Sequence, residues 1–217
     1  MFLHFLSEGR EKEFFLKFAY LLAVAEPDVP IEAIPVHYYT DSPEERKFAF
    51  EAFIPGFSME ISELLMIRNF AQEMGLEWNT VSSASSPFSC HGEFACDDLL
   101  SSEALKQVAS KNSVPQMLET ACRFHRGADR SAILLTVLTA IFGQVDARIF
   151  AVEKKKAILM EATAIAYTDG TYSSWEDELL QRYCAYCRLD KVMLDEFKGI
   201  TKEFAQAYQK AIELITE

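Results

Sequence analysis

Residues 164–180 read AIAYTDGTYSSWEDELL and predict two helices joined by a tight acidic turn. Gly170 follows Asp169 where the first helix has to stop, because glycine adopts the left-handed backbone of a helix C-cap without a steric penalty. Ser173 and Glu176 have the spacing of a capping box, in which serine and glutamate side chains each accept from a free amide of the new helix. The stretch therefore predicts a helical hairpin, with its structural turn at Gly170 and its cap at Ser173 and Glu176.

Helical spacing of apolar residues extends from this hairpin over most of the chain. Phe14, Phe18 and Leu21 belong to one stripe with the i, i+3, i+4, i+7 pattern. Similar patterns predict helices from about 58 to 75, 98 to 110, 114 to 127, 131 to 142 and 151 to 168, then a short helix at 191–197 and a last one at 201–215. We also expect a helix that begins at Ser42 and carries Phe53. The fold class is therefore all-α, a compact bundle of helical hairpins.

The 217 residues are enough for one large domain. We predict a single helical domain over 1–217. The alternative is an N-terminal helical part at 1–78, a Ser- and Pro-rich loop or linker at 79–97, and a C-terminal part at 98–217. Residues 13–29 also align with 156–172 at a constant offset, which indicates a degenerate internal duplication unless two amphipathic helices align by chance.

Composition excludes several classes of partner. The formal net charge of -12 repels phosphate backbones, so we expect no nucleic acid to bind. The longest uncharged apolar stretch, 132–142, is too short for a membrane span. Five cysteines, an odd number, and no visible secretory signal predict reduced thiols and a cytoplasmic location.

The turn also carries a family resemblance. The pattern Ala-Tyr-x-Asp-Gly-x-apolar-Ser-x-x-Glu-x-x-Leu-Leu at 166–180 resembles the tellurite-resistance TerB family, whose superfamily includes the N-terminal region of a DnaJ-like co-chaperone. The closer match spans about 153–197. The matching residues are Ala166, Tyr167, Asp169, Gly170, Tyr172, Ser173, Glu176, Leu179 and Leu180.

The resemblance implies an all-helical domain of paired hairpins in a bacterial cytoplasm, linked to tellurite or another stress. It implies a non-enzymatic protein with protein partners, whose acidic surface residues bind divalent cations. The N-terminal repeat departs from the family pattern, because Glu26-Pro27 stands where Asp-Gly is expected. This departure argues against an acidic site built from both repeats.

Four carboxylates near the turn are the candidate metal ligands: Asp169, Glu176, Asp177 and Glu178. Oxygen ligands at this density suit Ca²⁺ or Mg²⁺ better than Zn²⁺. The alternative is structural, because acidic residues in the first turn of a helix offset its macrodipole without any ion, and Glu176 already belongs to the capping box.

Cysteine and histidine provide a second candidate site. Cys184 and Cys187 lie three residues apart on one helical face, and so do Cys122 and His125. Zinc requires four such ligands, but the alternative for Cys184 and Cys187 is a place in the core. The other members of this group are Cys90, His91 and Cys96.

The chain contains no G-x-S-x-G, no P-loop and no G-x-G-x-x-G, so no enzymatic activity is predicted. The sequence favours a non-enzymatic TerB-like module that binds another protein, with a divalent cation at the acidic turn. One alternative is a small zinc metalloprotein or enzyme that uses Cys90, His91, Cys96, Cys122 and His125. Another is a structural homodimer.

Overall fold

A computed structural model describes residues 2–25, 32–37, 48–53, 62–75, 102–124 and 130–216. Within these ranges the fold is all-α, as the sequence predicts, with one two-stranded hairpin attached. The helices are α1 (Gly9–Ala23), α2 (Ser62–Glu73), α3 (Ser102–Ala109), α4 (Val114–Phe124), α5 (Arg130–Gln144), α6 (Val152–Ile165), α7 (Ser174–Cys187) and α8 (Lys191–Thr216).

Helix α1 lies at the centre of the fold. It packs against α2, α4, α5 and α6, and every residue from Phe14 to Ala25 is buried. The predicted apolar stripe is thus part of a helix that is apolar nearly all round, which is typical of a central helix. The exception is Lys17, whose buried ammonium donates to Glu13 Oε1 (2.6 Å) and Gln144 Oε1 (2.8 Å).

Aromatic packing joins α1 to the C-terminal hairpin of α6 and α7. The Tyr183 ring of α7 lies 5.0 Å from the Phe18 ring and 6.0 Å from the Phe14 ring, centroid to centroid. The Tyr183 hydroxyl donates to the Lys155 carbonyl of α6 at 3.1 Å. The buried polar end of this tyrosine is therefore satisfied within the hairpin that the opening stretch predicts.

The predicted helix through Phe53 is wrong, because Phe48–Phe53 is a strand, β2. It pairs antiparallel with β1 (Glu32–His37), in a register that joins Glu32 to Phe53 and His37 to Phe48. In the sequence FAFEAF, Phe48 and Phe50 are two residues apart, which is the period of a strand, and aromatic residues favour pleated sheet. The predicted start of that helix, Ser42, lies outside the described residues.

The prediction of two separate C-terminal helices is also wrong. Helix α8 runs unbroken from Lys191 to Thr216 and passes through Gly199. A glycine inside a helix costs only about 1 kcal/mol relative to alanine, and the neighbouring residues are sufficient to continue the helix.

Two other predictions stay open. The two helices of the proposed duplication, α1 and α6, pack against each other, but the duplication itself stays a prediction. The proposed linker at 79–97 lies outside the described residues, so the division into domains also stays a prediction. None of the described helices has the length and apolarity needed to cross a membrane.

Candidate functional site

The acidic turn reverses the chain at Gly170. Regular helix α6 ends at Ile165, and tight turns continue it, with Thr168 N–H donating to the Ile165 carbonyl (3.1 Å) and Gly170 N–H to the Tyr167 carbonyl (3.0 Å). Gly170 then has a φ of 92°. Because L-residues with a side chain rarely adopt this backbone conformation, the turn requires glycine here.

Helix α7 begins with the capping box that the spacing predicts. Ser173 Oγ accepts from the Glu176 N–H at 3.3 Å, and Glu176 Oε2 accepts from the Ser173 N–H at 2.8 Å. The Glu176 side chain is buried. This carboxylate therefore serves the start of the helix and faces away from solvent.

The remaining carboxylates of the turn accept from separate donors. These contacts are Asp169 with Thr171 (2.9 Å to N and 3.0 Å to Oγ1), Asp177 with Gln181 Nε2 (2.8 Å), and Glu178 with Arg182 (3.3 Å) and Ser131 (3.4 Å). Among the described residues, no group of three or more His, Cys, Asp or Glu side chains is placed to hold one metal ion. The geometry favours the structural role of these acids, and cation binding at the turn stays a prediction.

One of these acids attaches α8 to the turn. Asp177 forms an ion pair with Lys198 of α8, and the Lys198 ammonium lies 5.3 Å from the centroid of the Tyr172 ring. Burial raises the pKa of the Tyr172 hydroxyl, so the ring stays neutral beneath the ammonium. The acidic turn is therefore the place where the C-terminal helix is held.

The described cysteines lie in the core as free thiols. Burial raises the pKa of Cys184 and of Cys187 to about 11, and burial, together with the charge of Glu119, raises that of Cys122 to about 12. A zinc ligand or a nucleophile has to be a thiolate, so these environments are unfavourable for either role.

The alternative zinc set has four further members. Cys90, His91, Cys96 and His125 lie outside the described residues.

Helix α8 presents an exposed apolar surface that the sequence interpretation missed. We define the α8 apolar face as Ile200, Phe204, Tyr208, Leu214 and Ile215, which are 49%, 76%, 66%, 68% and 83% exposed. The signal was present, because apolar residues recur every three or four positions from Phe197 to Ile215. Dividing the segment into two helices near Gly199 concealed this continuity.

The first part of α8 explains where the exposed part begins. Helix α8 packs against α6 and α7, and Leu194 (fully buried) and Thr201 (7% exposed) face this contact. Beyond Thr201, every side chain that the structure describes is exposed except Ala205, which is half-buried. The first half of α8 is therefore covered by α6 and α7, and its second half is uncovered.

Comparison with family models, with curated proteins and with solved structures finds no match to this chain. The fold and the surface define a class in general terms. It is an all-α protein with one attached β-hairpin, and its long last described helix is held at an acidic turn and exposes an apolar face.

Proposed function

We propose that the protein is a non-enzymatic, TerB-like interaction module that acts in the cytoplasm in a stress response. It contacts another protein through the α8 apolar face. The observation that carries this proposal is the exposure of Phe204 and Tyr208, two aromatic side chains that lie about one turn apart on α8. Contiguous exposed apolar surface of this kind is typical of protein-binding sites.

The size of the surface supports a binding role. Aromatic side chains have about 150–250 Å² of surface each. At their observed exposure, Phe204 and Tyr208 therefore present roughly 280 Å² of accessible surface together. At about 25 cal/mol per Å², covering these two rings contributes about 7 kcal/mol before the costs of association. Ile200, Leu214 and Ile215 extend the patch along the same helix.

The TerB-like turn gives the surface a fixed support. Lys198 is joined to Asp177 and lies over Tyr172, one turn before Thr201, where burial ends. Asp177, one of the acidic residues that the resemblance would use for cations, thus orients the binding helix in this proposal. The non-enzymatic character rests on the sequence, which contains none of the catalytic templates considered above.

Site-specific photo-cross-linking in cells tests the interaction. A photoreactive phenylalanine analogue at position 204 should form covalent protein adducts, because this side chain lies on the α8 apolar face. The same analogue at position 206, exposed on the opposite side of the helix, is the matched control and should form none. Absence of adducts from position 204, or equal yields from both positions, would overturn the proposal.

The stress role requires a separate measurement. A strain that lacks the gene should grow less well on potassium tellurite than its parent, and the wild-type gene should restore growth. Phe204→Glu should fail to restore it, because a carboxylate in the patch opposes burial of the surface. Equal growth of parent and deletion strain on tellurite would remove the stress role.

A further inference from the structure

We infer that the exposed half of α8 binds the same segment of a second copy of this chain, with the two helices antiparallel. The inference rests on the proposed function, since it names the partner of the α8 apolar face. The segment from Lys202 to Thr216 is about 22 Å long. It is long enough for an antiparallel helix pair, provided that the two surfaces match.

The side chains match in size when the helices are antiparallel. In a heptad pattern, Phe204 and Ala211 occupy one core position, and Ile200, Ala207 and Leu214 occupy the other. Antiparallel helices bring the first position of one copy against the second position of the other. Phe204 then packs against Ala207 of the second copy, and Ile200 against Ala211, so that each of these two large side chains meets a small one.

Parallel helices lack this match. A parallel pair brings each core position against itself, so that Phe204 meets Phe204 while Ala207 meets Ala207. Large groups crowd at one level, and a gap remains at the next. Alternation of large and small residues along α8 therefore selects the antiparallel arrangement.

Charge complementarity selects the same arrangement. Glu203 and Lys210 are exposed, seven residues apart on one flank of the apolar face. In the antiparallel register given by the core, Glu203 lies beside Lys210 of the second copy, and the two-fold symmetry repeats the pair. In a parallel pair the same flank would face Tyr208 and Ile215, and both charges would lose their partners.

The register also fits the point at which α8 stops packing against α6 and α7. This register puts Leu214 of the second copy opposite Phe197. Phe197 is half-buried near the end of the contact of α8 with α6 and α7. The two-fold axis passes between residues 205 and 206, beyond Thr201. The contact thus continues the apolar surface that α6 and α7 cover in the first half of α8.

A lipid surface is a less suitable occupant. Membrane-binding helices carry an excess of Lys and Arg on the polar face, whereas residues 202–216 contain two lysines and two glutamates. The net charge of -12 opposes binding to anionic lipids. The balanced charges of α8 suit a symmetric protein contact.

Sedimentation equilibrium of the full chain tests the inference. The helix pair is small for a specific interface, so we expect a dimer with a dissociation constant on the order of micromolar. Phe204→Ala should raise the dissociation constant roughly tenfold or more. Because this side chain is exposed, an unchanged circular dichroism spectrum, and an unchanged melting temperature at a concentration where both proteins are monomeric, will show that the variant folds. A chain that stays monomeric into the high micromolar range would overturn the inference.

A charge exchange tests the register. Glu203→Lys and Lys210→Glu should each raise the dissociation constant roughly threefold to tenfold, because each replaces two attractive contacts by two repulsive ones. The double variant should return the constant towards the wild-type value. Lys202→Glu, on the opposite face, is the control and should have no effect. Failure of the double variant to recover would overturn the antiparallel register.

Cross-linking separates this inference from the proposed function. A photoreactive analogue at position 200 should yield an adduct of twice the chain mass, with the attachment mapped near Ala211 of the second copy. Attachment near Ile200 itself would indicate parallel helices and overturn the inference. Adducts with a different protein in cells, together with a monomer in solution, would leave the proposed function standing and overturn the second copy as the partner.

Discussion

Gly170 and Gly199 offer a matched pair of substitutions with opposite expected signs. A Cβ atom added at either glycine would meet no atom within 4 Å beyond its chain neighbours and its own helix backbone, so alanine causes no clash with another part of the fold at either site. The two sites differ in backbone conformation, since Gly170 has a φ of 92° and Gly199 lies inside helix α8. The comparison therefore isolates the contribution of the backbone.

The expected free energies follow from these conformations. Gly199→Ala should stabilise the fold by about 0.5–1 kcal/mol, because alanine loses less conformational entropy in a helix than glycine does. Gly170→Ala should destabilise it by about 1–2 kcal/mol, because a Cβ atom is strained in a left-handed conformation. The two variants should differ by roughly 2 kcal/mol, which corresponds to about 4–8 °C in melting temperature for a chain of this size.

Thermal unfolding followed by circular dichroism measures this difference. All three proteins should be compared at one protein concentration, because association would make the melting temperature depend on concentration. The expected order of stability is Gly199→Ala, wild type, Gly170→Ala. A Gly170→Ala variant as stable as Gly199→Ala would refute the reversal at residue 170 or the unbroken helix through residue 199.

Burial opposes ionisation of Glu11, but hydrogen bonds that include one from Lys154 Nζ (2.5 Å) lower its pKa. The stability gained from this carboxylate is therefore complete above its ordinary pKa of about 4.3 and lost as the pH falls through the lowered value. Glu11→Gln should reduce the urea midpoint near pH 7 and leave it almost unchanged near pH 2, and an equal loss at both would contradict the assignment. A double-mutant cycle of Asp177→Asn and Lys198→Met should give a coupling of about 0.5–1 kcal/mol, as for a partly exposed pair, and strictly additive losses would show that the pair does not hold α8. Calorimetric titration with Ca²⁺, Mg²⁺ and Zn²⁺ checks the predicted cation site, which requires binding heat from wild type that Asp169→Ala abolishes; no heat from either protein would exclude the site.

The helical hairpin at residue 170 was predictable from the sequence because its determinants are local. Glycine at a left-handed position and the Ser173–Glu176 capping box act within a few residues of each other. Strand β2 was missed for the opposite reason, since Phe48–Phe53 becomes a strand by pairing with Glu32–His37. The backbone partners of each segment lie in the other one, which is distant in the sequence.

The candidate site likewise combines local features that were predictable from the sequence with distant contacts that were not. The sequence shows the acidic residues as a cluster, but two of them also have partners in distant segments. Asp177 is joined to Lys198 of α8, and Glu178 accepts from Ser131 of α5 as well as from its own helix. A carboxylate that already has such a donor differs chemically from one that is open to a metal ion.

The sequence by itself determined the all-α class, the turn at Gly170 and the cap of α7, because these depend on backbone conformation and on hydrogen bonds between near neighbours. Only the tertiary structure decided which apolar faces are covered. Phe18 and Phe204 are both aromatic residues on amphipathic segments, yet Phe18 is fully buried and Phe204 is 76% exposed. Burial depends on whether another element packs against a face, and that is a property of the whole fold.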